Sequence, residues 1–379
     1  MGPAKLTDWH RDLSGAFGDL GTLVPFIVAY LVVVGMDAGT VFLSFGAALV
    51  VTGLHYRLPI PVQPMKAIGA AAAAHATQQL VVTPSALALS AVLTGIFWLA
   101  ASHAGLAQRA ADAVPRNVTK GIILGVGGSL IIEALRQLQS DWLFGLPMVV
   151  ALLALNTRSR ISPFLLIVVA GLLLGAWRQP ALFQELLRSP VGFSLPQWSA
   201  PQWTSPQVWV VAVLLALPQI PLTFGNAVIG LVEETRREFP GSRLDEGRVA
   251  KSTGWMNLWA GLIGGPPMCH GAGGLAGYLA SGARTGWPVA ALGLLFIAAA
   301  LFFQQSIVSA LSLIPASAIG AMLFVVGLYM VIGTAGSNRD KAERAVLLGT
   351  AAVTIWNVGV GLLAGIVLHH GLKRGWFVL

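Results

Sequence analysis

The 379-residue chain is 56% hydrophobic and only 10% charged, with a mean hydropathy of +0.76, and that much apolar surface exceeds what a water-soluble core can hide. Its formal net charge of +8 is spread over short segments between apolar runs, which argues against a nucleic-acid surface and fits loops on one side of a membrane. A single cysteine, Cys269, excludes an intramolecular disulfide.

The N-terminal stretch "MGPAKLTDWHRDLSGAFGDLG" carries charges as far as Asp19 and then becomes apolar with no small-residue cleavage pattern, so no removable signal peptide is expected. At about 20 apolar residues per spanning helix, the chain has room for roughly 12 to 14 spans. Runs between breakers predict spans at 14–31, 37–56, 62–78, 84–103, 115–136, 141–156 and 161–179. A connector "LPQWSAPQWTSPQ" follows, then spans at 206–232, 249–264, 267–281, 285–303, 314–332, 339–356 and 357–372. With both termini in the cytoplasm, 19 of the 23 Lys and Arg fall on the inside, 3 on the outside, and Lys66 alone within a span. That asymmetry supports fourteen spans, because losing one would flip every later loop.

Seven spans per half is odd, so repeated halves must be inverted relative to each other. "FGD" at Phe17 to Asp19 matches "FGN" at Phe224 to Asn226, "QPMK" at Gln63 to Lys66 matches "PPMC" at Pro266 to Cys269, and "VPRNVTKGIILGVG" from Val114 matches "IPASAIGAMLFVVG" from Ile314. The offsets of 207, 203 and 200 drift slowly, as diverged repeats with small loop changes should. The expected fold is all-α and polytopic, with fourteen spans as seven-plus-seven inverted repeats.

Two predicted spans are broken. Non-helical backbone is tolerated at membrane depth only where protein buries it or it lines a wet cavity, so "LPIPVQP" reads as a short extended lead-in to a half-helix starting near Met65. Pro64 suits a first helical turn, where its missing N–H breaks no bond. "GGPPMCHGAGGLAGYLASG" has the same grammar. Helix N-termini carry partial positive charge and unsatisfied N–H donors, so two of them facing each other in a low-dielectric cavity form an oxyanion site. Lys66, an ammonium in hydrocarbon, either neutralises the anion or pairs with a carboxylate, or else reaches back to the cytoplasmic surface. His270 either donates to the anion, titrates, or caps backbone carbonyls. Asp19 is a proton carrier, a partner for Lys66, or an ordinary helix-end acid, and Asn226 is its neutral counterpart. Gln219 and Thr223 are further amide and hydroxyl donors. The loop "EETRREFPGSRLDEGRVAK", beginning with Glu233 and Glu234, reads as solvated surface. Neither a phosphate-binding glycine loop, a Cys/His metal spacing nor a nucleophile elbow occurs, so no enzyme activity, cofactor or metal site is expected.

At "FGDLGTLVPF", "PVQPMKAIGAA", "PLTFGNAV" and "PMCHGAGGLAG" the chain resembles the molybdate transporter family within the sulfate-permease superfamily. The resemblance implies the seven-plus-seven fold shared with uracil and xanthine permeases. It further implies a core domain over 13–104 and 206–304, a gate domain over 105–205 and 305–379, and substrate between the starts of spans 3 and 10. The family's motifs fall on Pro61 to Gly69 and Pro267 to Gly277. The implied molybdate-binding set is Gln63, Pro64, Met65, Lys66, Ala67, Thr223, Asn226, Cys269, His270, Gly271, Ala272, Gly273 and Gly274, with Asp19 and His270 as proton-coupling candidates. Many sulfate permeases end in a cytoplasmic regulatory domain, whereas only "HHGLKRGWFVL" follows the last span here. The expectation is a secondary transporter importing molybdate across the cytoplasmic membrane, with both termini inside and a homodimer by analogy. Sulfate or tungstate as cargo, and an anion channel on the same fold, are the rival readings.

Overall fold

A computed structural model describes residues 12–13, 15–65, 68, 82–155, 163–196, 202–334 and 340–376. A 3-10 turn over Gly15–Asp19 leads into α1 (Leu20–Val28), which widens into a π turn over Ala29–Val33. α2 (Ala38–Tyr56) begins where the Asp37 carboxylate accepts from the Thr40 N–H and hydroxyl, both at 2.7 Å, satisfying donors the first turn cannot pair itself. Extended backbone then carries the proline-rich stretch into β1 (Gln63–Pro64). Most of the third predicted span, including Lys66 and Ala67, lies outside the described residues. α3 (Pro84–His103) opens with a Thr83 cap and a first-turn proline. It is followed by α4 (Leu106–Asp112), α5 (Arg116–Leu138) and α6 (Trp142–Leu155). α7 (Pro163–Arg178) and α8 (Pro180–Arg188) meet at a bend of 108°.

In the second half α9 (Pro206–Thr223) continues through a π segment, Phe224–Leu231, into α10 (Val232–Glu238). The matched "FGD" and "FGN" triplets thus both sit where the helix departs from α geometry. α11 (Glu246–Leu262), capped by Asp245, precedes β2 (Met268–Cys269) and α12 (Ala272–Ala280). α13 (Trp287–Phe302) bends by 101° into a segment ending in α14 (Ile307–Ser312). α15 (Ala316–Thr334), α16 (Lys341–Trp356) and α17 (Val358–Lys373) complete the chain, the last two capped by Asp340 and Asn357. Among the described residues four helices are long and apolar enough to cross a membrane, or up to six if each bent pair is one span. This is a multi-pass membrane protein.

The most extensive helix pairings fall into two sets. α2 packs on α13, and α3 on α11 and α9; separately, α5 packs on α15 and α16, α15 on α6, and α16 on α17. Glycine sets the closest approaches. A Cβ added at Gly127 would lie 2.9 Å from the Gly327 carbonyl oxygen, and one at Gly327 would lie 2.7 Å from that of Gly127. α5 and α15 therefore touch backbone to backbone, as small residues allow in membrane helices.

The charged loop departs from expectation. Glu234 and Glu246 are buried, at 6% and 5% exposure. Glu246 accepts both guanidinium N–H groups of Arg236, at 2.9 and 3.0 Å, and Glu234 pairs with Arg237. A solvated reading fails for the two carboxylates because each is covered by a forked, always-charged guanidinium, while Arg236 and Arg237 themselves stay 47% and 42% exposed. The alternating charges record pairing as much as exposure.

Candidate functional site

β1 and β2 form one short antiparallel pair, with Gln63 opposite Cys269 and Pro64 opposite Met268. The Met65 N–H extends it by donating to the Pro267 carbonyl at 3.1 Å. Two residues on each strand cannot hold a sheet by themselves, and Asn257 of α11 supplies the tie. Its Oδ1 accepts from the Met268 N–H at 2.9 Å, while its Nδ2 donates to the carbonyls of Thr253 at 2.7 Å and Met268 at 2.5 Å. Asn257 is fully buried, so Asn257→Leu leaves a buried N–H and C=O of β2 unmatched. We expect a loss of about 2 to 6 kcal/mol from the two orphaned groups, seen as a lowered midpoint of thermal unfolding in detergent.

The sheet brings the "FGD" turn and the start of α12 together. Gly18 and Gly277 touch through their backbones, since a Cβ at either would overlap the other's carbonyl oxygen. That approach places Asp19, 0% exposed, beside α12, which excludes the ordinary helix-end acid. Gln63 Nε2 donates to Asp19 Oδ1 at 2.6 Å, and because a carboxylate only accepts, the amide is oriented with Oε1 on its other side. A Cβ at Gly271 would overlap Gln63 Oε1 and lie 3.1 Å from Asn226 Nδ2; one at Gly274 would lie 2.5 Å from Gln63 Nε2 and 2.8 Å from Asp19 Oδ1. Asp19, Gln63, Asn226, Gly271 and Gly274 are thus one cluster around the first turn of α12, to which Ala272 and Gly273 also belong. Its N-cap residue is Gly271, which has no side chain to cap the turn.

Asn226 stands out in this cluster. It is 2% exposed, and among the described residues neither its Oδ1 nor its Nδ2 has a hydrogen-bond partner. An unmade buried hydrogen bond costs about 1 to 3 kcal/mol per group, so the position favours occupation by something polar. Tyr30 and Tyr278 add two buried hydroxyls in the same condition. The sequence signal for them is slight: the chain has only four tyrosines, and three of them are Tyr30, Tyr278 and Tyr56, whose ring lies edge-on to His270.

His270 is held differently. Its Nδ1 lies 2.7 Å from the Pro61 carbonyl and its Nε2 lies 2.8 Å from Ser252 Oγ. A carbonyl can only accept, so Nδ1 carries a proton. Ser252 Oγ also lies 3.1 Å from the Val249 carbonyl, and the Tyr56 hydroxyl reaches both Ser252 Oγ at 2.7 Å and the Arg248 carbonyl at 3.0 Å. For a neutral imidazole, Tyr56 donates to Ser252 and Ser252 to Nε2. For a charged one both hydroxyls turn to the carbonyls. Two rotations therefore satisfy either charge state, and both ring nitrogens are engaged by protein.

The remaining predicted residues spread out. Pro64 and Met65 are buried in the strand pair, and Cys269 Sγ lies 3.9 Å from the Pro64 carbonyl. Thr223 accepts from Gln219 Nε2 at 2.8 Å, one turn before Asn226. Ser252 and Asn257 escape sequence reasoning because their partners are set by tertiary contact with a strand lacking its own periodic signal.

A family model described as "Molybdate transporter of MFS superfamily" matches residues 11–130 and 211–330, two equal stretches whose starts differ by 200. Molybdate transporter 2 of Arabidopsis thaliana is 29% identical over 414 aligned residues, covering 96% of this chain and 87% of that protein. Among solved structures, the transmembrane domain of a cyanobacterium bicarbonate transporter, BicA, superposes with a TM-score of 0.57 at 18% identity, over 95% of this chain and 97% of that one. The murine anion transporter Slc26a9 in its inward-facing state gives 0.59 at 14% identity, over 100% and 70%. The fold is shared with both.

Proposed function

The chain belongs to the molybdate transporter family, and from that membership we propose that it imports molybdate across the cytoplasmic membrane as a secondary active transporter. The anion sits at the start of α12, against the end of β1. The observation that carries this reading is Asn226, a buried amide without a partner among the described residues, placed against a glycine-lined helix N-terminus. A tetrahedral dianion needs several donors from different directions, and backbone N–H groups at a helix start supply them without side-chain bulk. The offset of 200 between the two matched stretches, and the two sets of helix pairings, support fourteen spans in inverted halves, with a core over 13–104 and 206–304 working against a gate over 105–205 and 305–379. The family description's superfamily label denotes six-helix halves; seven segments per half departs from it.

The ligand set we assign is Gln63, Asn226 and the N–H groups of Gly271 to Gly274, joined by Lys66 and Ala67. His270 positions β1 through the Pro61 carbonyl. Asp19 is the proton carrier in this scheme. While ionised it accepts from Gln63; once protonated it donates instead, and the Gln63 amide turns to present Nε2 towards the anion. Proton and dianion then enter together, which removes the repulsion between carboxylate and cargo.

The test is uptake of labelled molybdate into proteoliposomes with excess sulfate as competitor and the pH gradient on or off. Saturable uptake that resists sulfate and rises with acid outside is the expected result. Uptake abolished by sulfate moves the cargo to oxyanions in general, and currents without accumulation would make the protein a channel. Asp19→Asn mimics the protonated acid, so molybdate affinity should stay within about threefold of the parent while the response to the gradient disappears; one tenfold step would be about 1.4 kcal/mol. A variant still accelerated by the gradient would remove Asp19 from the scheme.

A further inference from the structure

On the outer side of the elements that hold the strand pair, α2 and α11 leave a groove of about 890 Å³ between them. Its walls are apolar: Ala48 and Val51 on α2, Trp255, Met256 and Trp259 on α11. No other described element closes it, as Val51, Trp255 and Trp259 are 65%, 58% and 46% exposed. One end is cationic, formed by His55 at the end of α2 and by Arg248 and Lys251 at the start of α11. Among the described residues Lys251 makes no ion pair, and Arg248 has only the half-exposed Asp245 at 3.3 Å. Arg57, also exposed, lies just past the end of α2.

We propose that this groove binds an anionic phospholipid, with its phosphate on Arg248 and Lys251 and an acyl chain along Val51, Trp255 and Trp259. Length supports this occupant. From Arg248 to Trp259 a helix rises about 16 Å, close to half of a hydrocarbon core about 30 Å thick. The groove therefore spans one leaflet, with its cations at headgroup level and its indoles in the acyl region. Charge supports it too, because basic residues at a membrane surface attract anionic headgroups. A second copy of this chain would have to bring an acidic ridge into a concave slot, and the chain is net basic.

The groove also touches the working parts. Tyr56 and Ser252 line it, and they are the two hydroxyls that hold His270 and, through it, the Pro61 carbonyl ahead of β1. A phosphate at the groove mouth biases which way those hydroxyls turn. The lipid thus acts as a regulator of the strand pair from outside the substrate site.

Native mass spectrometry of the purified full chain tests this without transport. Phosphatidylglycerol and phosphatidylcholine with identical acyl chains are offered at equal concentration. We expect at least about tenfold preferential retention of phosphatidylglycerol, and loss of that preference in the double variants Arg248→Gln with Lys251→Gln and Arg248→Glu with Lys251→Glu. Both substituted side chains are exposed, and retention of the parent's unfolding midpoint without lipid verifies folding. Trp255→Ala should weaken retention of both lipids. Equal retention of the two lipids, or a preference unchanged in the double variants, overturns the proposal. So does displacement by glycerol 3-phosphate at equal concentration, which would indicate a free-phosphate site, or a lipid-free dimer that buries Lys251 from acylating reagents. Because the readout is lipid mass, failure here leaves the molybdate reading untouched, and a failed uptake assay leaves this one untouched.

Discussion

Gly274→Ala should reduce molybdate uptake by about 100-fold or more while the protein still reaches the membrane. Alanine ordinarily helps a helix by up to about 1 kcal/mol relative to glycine, so an intrinsic helix effect predicts the opposite sign. Here the added methyl meets Gln63 Nε2 at 2.5 Å, Pro61 Cβ at 2.6 Å and Asp19 Oδ1 at 2.8 Å. Overpacking of this kind costs about 1 to 3 kcal/mol, and relief requires moving Gln63 or the strand pair, both of which belong to the proposed anion site. Gly192→Ala, where the added atom meets nothing within 4 Å, is the matched control and should be neutral. Uptake by Gly274→Ala at parental rate and affinity would show that the start of α12 does not hold the anion.

The second large effect separates binding from stability. Asn226→Leu removes two buried polar atoms that lack partners among the described residues and keeps the same branched heavy-atom skeleton. Replacing an unsatisfied group with an apolar one relieves about 1 to 3 kcal/mol, so the substrate-free protein should unfold at a higher temperature. Molybdate affinity, measured by equilibrium binding, should fall by at least about tenfold, and the rise in unfolding midpoint that molybdate gives the parent should vanish. A structural role for Asn226 predicts the reverse: a lowered midpoint with binding intact. Asn226→Asp adds repulsion of the dianion and should bind still more weakly.

Several of these residues are legible in the amino-acid sequence alone. "FGD" with "FGN" and "QPMK" with "PPMC" mark the positions where helices break, because glycine and proline inside apolar runs have few structural readings. Asp19, Gln63, Asn226, Gly271 and Gly274 indeed come together. The strand pair itself is not legible, since two residues on each side carry no alternating pattern. Asn257 and Ser252 are hidden for a related reason: an amide or hydroxyl on an apolar helix looks the same whether it bonds its own turn or a segment well beyond it. Glu234 and Glu246 mislead because charge in sequence signals water, and only the folded chain shows surface arginines reaching across to cover them. His270 carries too many readings, and only its two hydrogen-bond partners reduce them.

The pairing of Gln63 with Cys269 also sets a timetable for biogenesis. Ribosomes add about 5 to 20 residues per second, so β1 waits roughly 10 to 40 seconds in the membrane before β2 is made. An unpaired strand in lipid exposes N–H groups that hydrocarbon cannot satisfy. "LPIPVQP" is built for that interval: Pro59, Pro61 and Pro64 have no N–H to expose, and the Ile60 N–H closes locally on the Leu58 carbonyl at 2.7 Å. The prolines that shape the mature site also keep the first half of the newborn chain tolerable to the bilayer until its partner arrives.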